Sequence, residues 1–88
     1  MNIYQKAVTK FGAEHQKMMA IEEMAELMQA ISKHNRNPNE KTRINILEEI
    51  TDVGIMLNQL MHVYRFQDEE IDNMIDIKHE KLDKLLED

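Results

Sequence analysis

The residues able to do chemistry in this chain are concentrated in two short acidic strings, Glu22-Glu23-Met24-Ala25-Glu26 and Glu48-Glu49-Ile50-Thr51-Asp52. On a helix, carboxylates three residues apart share one face, so Glu23 pairs with Glu26 and Glu49 pairs with Asp52. Oxygen ligands of this kind suit a hard divalent cation such as Mg²⁺. One Glu-x-x-Glu is no more than any solvated helical face produces. Two such pairs, in matching register and beside apolar neighbours, point to a metal site.

For the pairs to act together, the segments that carry them must be helices lying side by side. Two glycines, one proline, 42% hydrophobic and 32% charged residues fit an all-α chain and argue against disorder or a turn-rich β fold. Punctuation divides the chain into four helices. The first runs from about Asn2 to Lys10 and breaks at Phe11-Gly12, and a long second helix runs from about Ala13 to His34. The polar stretch from Asn35 to Asn39, with Pro38, reads as a loop. A long third helix is expected from about Thr42, its N-cap, to Arg65, and a fourth from Asp68 to the C-terminal end, with Glu69 and Glu70 in its first turn.

Projection at about 100° per residue places Ala20, Ile21, Met24, Leu27, Met28 and Ile31 on one broad apolar face of the second helix. Glu22 points away from that face, Glu23 falls at its edge near Leu27 and Ala30, and Glu26 lies one step further round. In the third helix the apolar face is Ile46, Ile50, Val53, Leu57, Leu60 and Tyr64. Glu48 points away, Glu49 sits at the edge and Asp52 follows it. Antiparallel packing, favoured by the short connection, brings four carboxylates to the border of a hydrophobic layer. Such a group is costly unless it is protonated, faces basic side chains or holds a cation. Few basic residues are near, so a cation is the economical solution.

Eighty-eight residues make a single domain spanning 1–88, with a core small enough that self-association is the natural remedy. With no cysteine, disulfides and thiolate zinc sites are excluded. A net charge of -6 argues against nucleic-acid or anionic-membrane partners, and neither an apolar leader nor a membrane-length apolar run is present. The expectation is an intracellular, cytoplasmic protein.

The two acidic strings, with the flanking segments IEEMAELMQAISKHNR and ILEEITDVGIMLNQL, resemble the E-E-x-x-E and E-x-x-D signature of the all-α nucleoside triphosphate pyrophosphohydrolases, the MazG-like superfamily. The likeness runs from about Phe11 onward and is to the small single-domain members found in bacteria and phages. It implies a four-helix bundle with two long central helices and hydrolysis of a (deoxy)nucleoside triphosphate to the monophosphate and pyrophosphate. It further implies Mg²⁺, with Mn²⁺ as a substitute, held by Glu23, Glu26, Glu49 and Asp52. Glu22 or Glu49 would accept the proton of the attacking water. Assembly as a homodimer or homotetramer, in a bacterial or phage-infected cell, follows from the same likeness.

Candidate cations for the triphosphate are Lys78 and Lys81 on the fourth helix and Lys33 after the first acidic string. Gln16, two turns before Glu23, is a candidate amide contact to base or sugar. Phe11 stands where similar small members often have tryptophan. The four histidines and eight methionines are read as surface or packing residues. A ferritin-like di-iron protein is a poor alternative, because it needs Glu-x-x-His motifs and the nearest approach, Asp76-Ile77-Lys78-His79, is single. The remaining alternative is a non-enzymatic helical oligomer or partner-binding protein that retains the acidic site.

Overall fold

A computed structural model describes residues 1–87. The chain is entirely helical among the described residues, with α1 at Ile3–Phe11, α2 at Ala13–Arg36, α3 at Glu40–Val63 and α4 at Asp68–Leu86. Asn2 caps α1 by accepting from the Gln5 backbone N–H at 2.9 Å, while the Asn2 backbone N–H donates to the Gln5 side chain at 2.9 Å. Gly12 joins α1 to α2 at φ 92°, a value that disfavours any residue with a Cβ. Asn39, rather than Thr42, caps α3. Its side chain accepts from the Thr42 backbone N–H at 2.9 Å, and the Thr42 hydroxyl accepts from the Asn39 backbone N–H at 3.2 Å. Thr42 is therefore the third helical residue of a capping box, and α3 begins two residues earlier than the sequence suggests. At its other end α3 stops at Val63, and Arg65 takes φ 58° in the turn toward α4. Gln67 precedes α4 and donates its backbone N–H to Glu70 at 3.0 Å, so the cap lies one residue before Asp68.

The two long helices form an antiparallel hairpin, as their cross-links require. Gln16 near the start of α2 bonds Gln59 near the end of α3 at 2.7 Å, and His34 near the end of α2 bonds Thr42 near the start of α3 at 2.7 Å. The buried and half-buried positions of α2 include Gln16, Ala20, Glu23, Leu27, Ala30 and His34; those of α3 include Thr42, Ile46, Glu49, Val53, Met56 and Leu60. Both series step by four and three residues, the spacing of a knobs-into-holes seam. Ala20 and Ala30, 1% and 2% exposed, let the backbones approach closely.

The seam takes in only one edge of the face that the apolar pattern marks as core: Ala20 and Leu27 on α2 and Ile46, Val53 and Leu60 on α3. Ile21, Met24, Met28 and Ile31 on α2 and Leu47, Ile50, Leu57 and Met61 on α3 are exposed, about 100° round each helix from the seam. In an antiparallel pair, rotation in the same sense from two facing seams leads to the same side of the hairpin. These residues therefore form one continuous apolar face open to solvent. Tyr64, expected in the core, is exposed as well.

α1 packs on α3 and α2 through Val8, whereas α4 packs on none of the other three helices and buries no residue. The fourth layer of a bundle is thus not closed within one chain. Its apolar stripe, Ile71, Met74, Ile75, Leu82 and Leu85, carries Lys78 at its middle. The area reflects this openness. The chain exposes 7204 Å², against about 5,400 Å² for a compact monomer of its mass. Its radius of gyration is 16.1 Å, against about 12 Å for a compact domain of this length. No helix is long and apolar enough to cross a membrane.

Close approach at the two alanines is a direct requirement of this hairpin. Ala30→Leu is expected to lower stability by about 1–3 kcal/mol through overpacking, measured by chemical denaturation. An unchanged denaturation midpoint would mean that the helices do not meet at Ala30.

Candidate metal centre

α2 and α3 each deliver an acid at mid-seam, so the carboxylates meet because the helices meet. One carboxylate oxygen from each of Glu23, Glu49 and Asp52 lies within 4.8 Å of the others. Glu26 is close enough to Glu23 and to Glu49 to hydrogen-bond a protonated form of either. Glu23 and Glu49 are half-buried and Asp52 and Glu26 exposed, so the cluster opens to solvent on the side of the hairpin opposite the apolar face.

The electrostatics of the group are unfavourable as it stands. Burial raises the Glu23 carboxyl above the ordinary glutamate range, and the charges of Glu26, Asp52 and Glu49 raise it further. Glu49 is raised in the same way, by burial first and then by Glu26, Asp52 and Glu48. One oxygen of each, Oε2, is sealed from solvent without a hydrogen-bond partner. The ion pairs among the described residues are Lys17 with Glu14, Arg43 with Glu40 and Lys84 with Glu80, and none reaches the cluster. Two orphaned buried carboxylate oxygens amid further carboxylates make a donor set that fits a hard divalent cation.

Of the four residues expected as ligands, the structure brings Glu23, Glu49 and Asp52 together. Glu22 and Glu48 are exposed and lie outside the converging triad. Gln16 requires a correction. It is 5% exposed, and its amide donates to Gln59, itself 5% exposed, while its carbonyl oxygen accepts from His15 Nδ1 at 2.6 Å. Because this amide is spent inside the seam, it is not presented to a base or sugar. Lys33 is exposed about two turns beyond Glu26. Lys78 and Lys81 ride on α4, so one chain does not bring them to the acids. Gln59 was not singled out in the sequence, and the signal for it is positional. It stands seven residues beyond Asp52, as Gln16 stands seven before Glu23, which in an antiparallel pair puts the two amides at one level.

No family model, curated protein or solved structure matches the chain.

The raised carboxyls carry a pH signature. The folded protein holds protons on Glu23 and Glu49 at pH values where the unfolded chain has released them, so stability without metal falls as pH rises from the ordinary glutamate range through the raised range. Glu23→Gln with Glu49→Gln is expected to flatten that decline in the melting temperature recorded in chelator from about pH 5 to about pH 8. A decline of the same steepness in the double variant would assign it to other groups.

Proposed function

We infer that this chain is a Mg²⁺-dependent nucleoside triphosphate pyrophosphohydrolase of the MazG-like type, using Glu23, Glu26, Glu49 and Asp52 as metal ligands. The observation that carries the reading is the pair of sealed, unpartnered Oε2 atoms of Glu23 and Glu49 inside a converging group of three carboxylates. An acidic string on a solvated face leaves no oxygen buried and unsatisfied, whereas a cation site does. The resemblance of both acidic strings to the superfamily signature supplies the reaction class.

When bound, Mg²⁺ would neutralise charge on the phosphate oxygens and the departing pyrophosphate and lower the pKa of the attacking water. The chain's own residues have three tasks. The seam holds the acids at fixed spacing, and the exposed Glu26 and Asp52 turn the donor set toward the solvent from which a triphosphate arrives. Glu22, beside Glu23 and outside the triad, is free to accept a proton from water, and Glu49 is the other candidate base.

Self-association belongs to the same reading. The excess of about 1,800 Å² over a compact monomer matches the scale of a stable protein interface. The open apolar face is where a second copy fits, giving a homodimer or a dimer of dimers. Because the acids open on the opposite side, such an assembly leaves the cluster accessible. Lys78 and Lys81 on α4 and Lys33 on α2 stay the candidate cations for the triphosphate, and a nucleotide substrate suits a cytoplasmic setting in a bacterial or phage-infected cell. The detached, stripe-bearing α4 equally suits a helical oligomer without catalysis, so activity is what separates the two readings.

The experiment is pyrophosphate release from a panel of canonical and modified (deoxy)nucleoside triphosphates with Mg²⁺. Product is expected from the wild type, with a loss of at least about a hundredfold in Glu49→Ala. A folded wild-type protein that releases no pyrophosphate from any nucleotide would leave the non-enzymatic oligomer.

A further inference from the structure

The Gln16–Gln59 pair is the most buried polar feature of the chain, and the catalytic reading does not use it. Both residues are 5% exposed, in a seam whose other members are alanine, leucine, isoleucine, valine and methionine apart from the acids Glu23 and Glu49 and the loop-end pair His34 and Thr42. The amides form a directed chain. His15 Nδ1 donates to Gln16 Oε1 at 2.6 Å, Gln16 Nε2 donates to Gln59 Oε1 at 2.7 Å, and Gln59 Nε2 meets Met56 Sδ at 3.5 Å. A leucine pair would fill the same seam without demanding partners, so the amides hold something that apolar packing does not.

What they hold is register. A seam of repeating four-and-three steps packs almost as well when one helix slides by a heptad, because apolar knobs meet apolar holes again. A hydrogen-bonded amide pair does not tolerate the slide, since each amide would then face an apolar side chain or a carboxylate. At the loop end the His34–Thr42 bond and the Asn39 cap fix the start of the hairpin. At the open end Gln16–Gln59 fixes the finish. The acids lie between these two polar ties. Glu23 and Asp52 are each one heptad from the glutamines, and Glu26 and Glu49 are about one heptad from His34 and Thr42.

We propose that Gln16 and Gln59 are positioning residues, a register lock that holds the α2 acids level with the α3 acids against the repulsion that would slide or splay the open end of the hairpin. The consequence for metal binding rests on the reading of the cluster as a cation site; the lock itself does not. Register matters here because a slide of one heptad, about 10.5 Å along the axis, exceeds the 4.8 Å span of the converging ligand oxygens.

The test replaces both amides by methionine, close in shape and without donors. Gln16→Met with Gln59→Met removes both polar groups together, so no buried amide is orphaned and the fold is expected to keep or raise its melting temperature. Register is read from the distance between spin labels at Met18→Cys and Ile44→Cys, two exposed positions toward opposite ends of the hairpin in a chain with no other cysteine. Labelled protein is diluted with unlabelled protein so that only distances within one chain are recorded. Mn²⁺ titration of the same samples reads the cluster. With the amides the distance distribution is expected to be narrow; without them it is expected to broaden or shift by several ångströms, the projection of a one-heptad slide on the label vector, and half-saturation by Mn²⁺ to rise at least tenfold. If the double variant keeps the narrow distribution, or fails to fold, the lock is overturned. If Mn²⁺ does not bind even the wild type while the distribution still broadens, the lock stands and the cation reading falls.

Discussion

Everything in this chain follows from carboxylates being placed where a helix pair meets. Glu23 and Glu49 occupy mid-seam positions whose neighbours along the same seam, Ala20, Leu27, Ile46 and Val53, are apolar. A charged group in such a position costs stability through desolvation, and a second charge beside it adds repulsion. Both effects are present, since burial and neighbouring carboxylates push both acids in the same direction. A fold optimised only for stability would carry apolar residues there. The acids make physical sense as a site whose strain a bound cation relieves, and the ties at either end of the hairpin make sense as the means of keeping the strained arrangement in place.

The division of apolar surface follows from the same constraint. With its seam partly given to acids and amides, the hairpin places its larger apolar side chains on a second face, about 100° away. That face and the stripe on α4 are more than one chain covers. Metal chemistry on one side of the hairpin and association on the other can then coexist without competing for surface.

Much of this was legible in the residues. The all-α class, four helices and a two-helix scaffold for the acids followed from composition, period and punctuation. So did the matched register of Glu23 and Glu26 with Glu49 and Asp52, because equal spacing on two helices survives any choice of packing face. The face itself was misread in part, since Ala20, Leu27, Ile46, Val53 and Leu60 do lie in the seam while the larger side chains beside them do not, and the reason is physical. Hydrophobicity ranks Ile21, Met28, Ile50 and Leu57 above Ala20 and Ala30, whereas close helix approach selects the small residues. Gln16 was misread with it, since an amide on the acidic stripe looked available until the stripe proved to be the seam. The cap of α3 moved from Thr42 to Asn39 because both belong to one capping box and the sequence pattern names its two ends without ordering them. The position of α4 was not legible at all, because its amphipathic stripe specifies that it must be covered and not by what.

The central claim is that Glu23, Glu49 and Asp52 converge in order to hold a divalent cation. Crystals grown with Mn²⁺ and measured at the manganese absorption edge test it most directly. The account expects an anomalous peak within coordinating distance of the three carboxylates, roughly 2.0–2.3 Å from the bound oxygens. Well-diffracting crystals with ordered carboxylates and no peak there, at millimolar Mn²⁺, would contradict it.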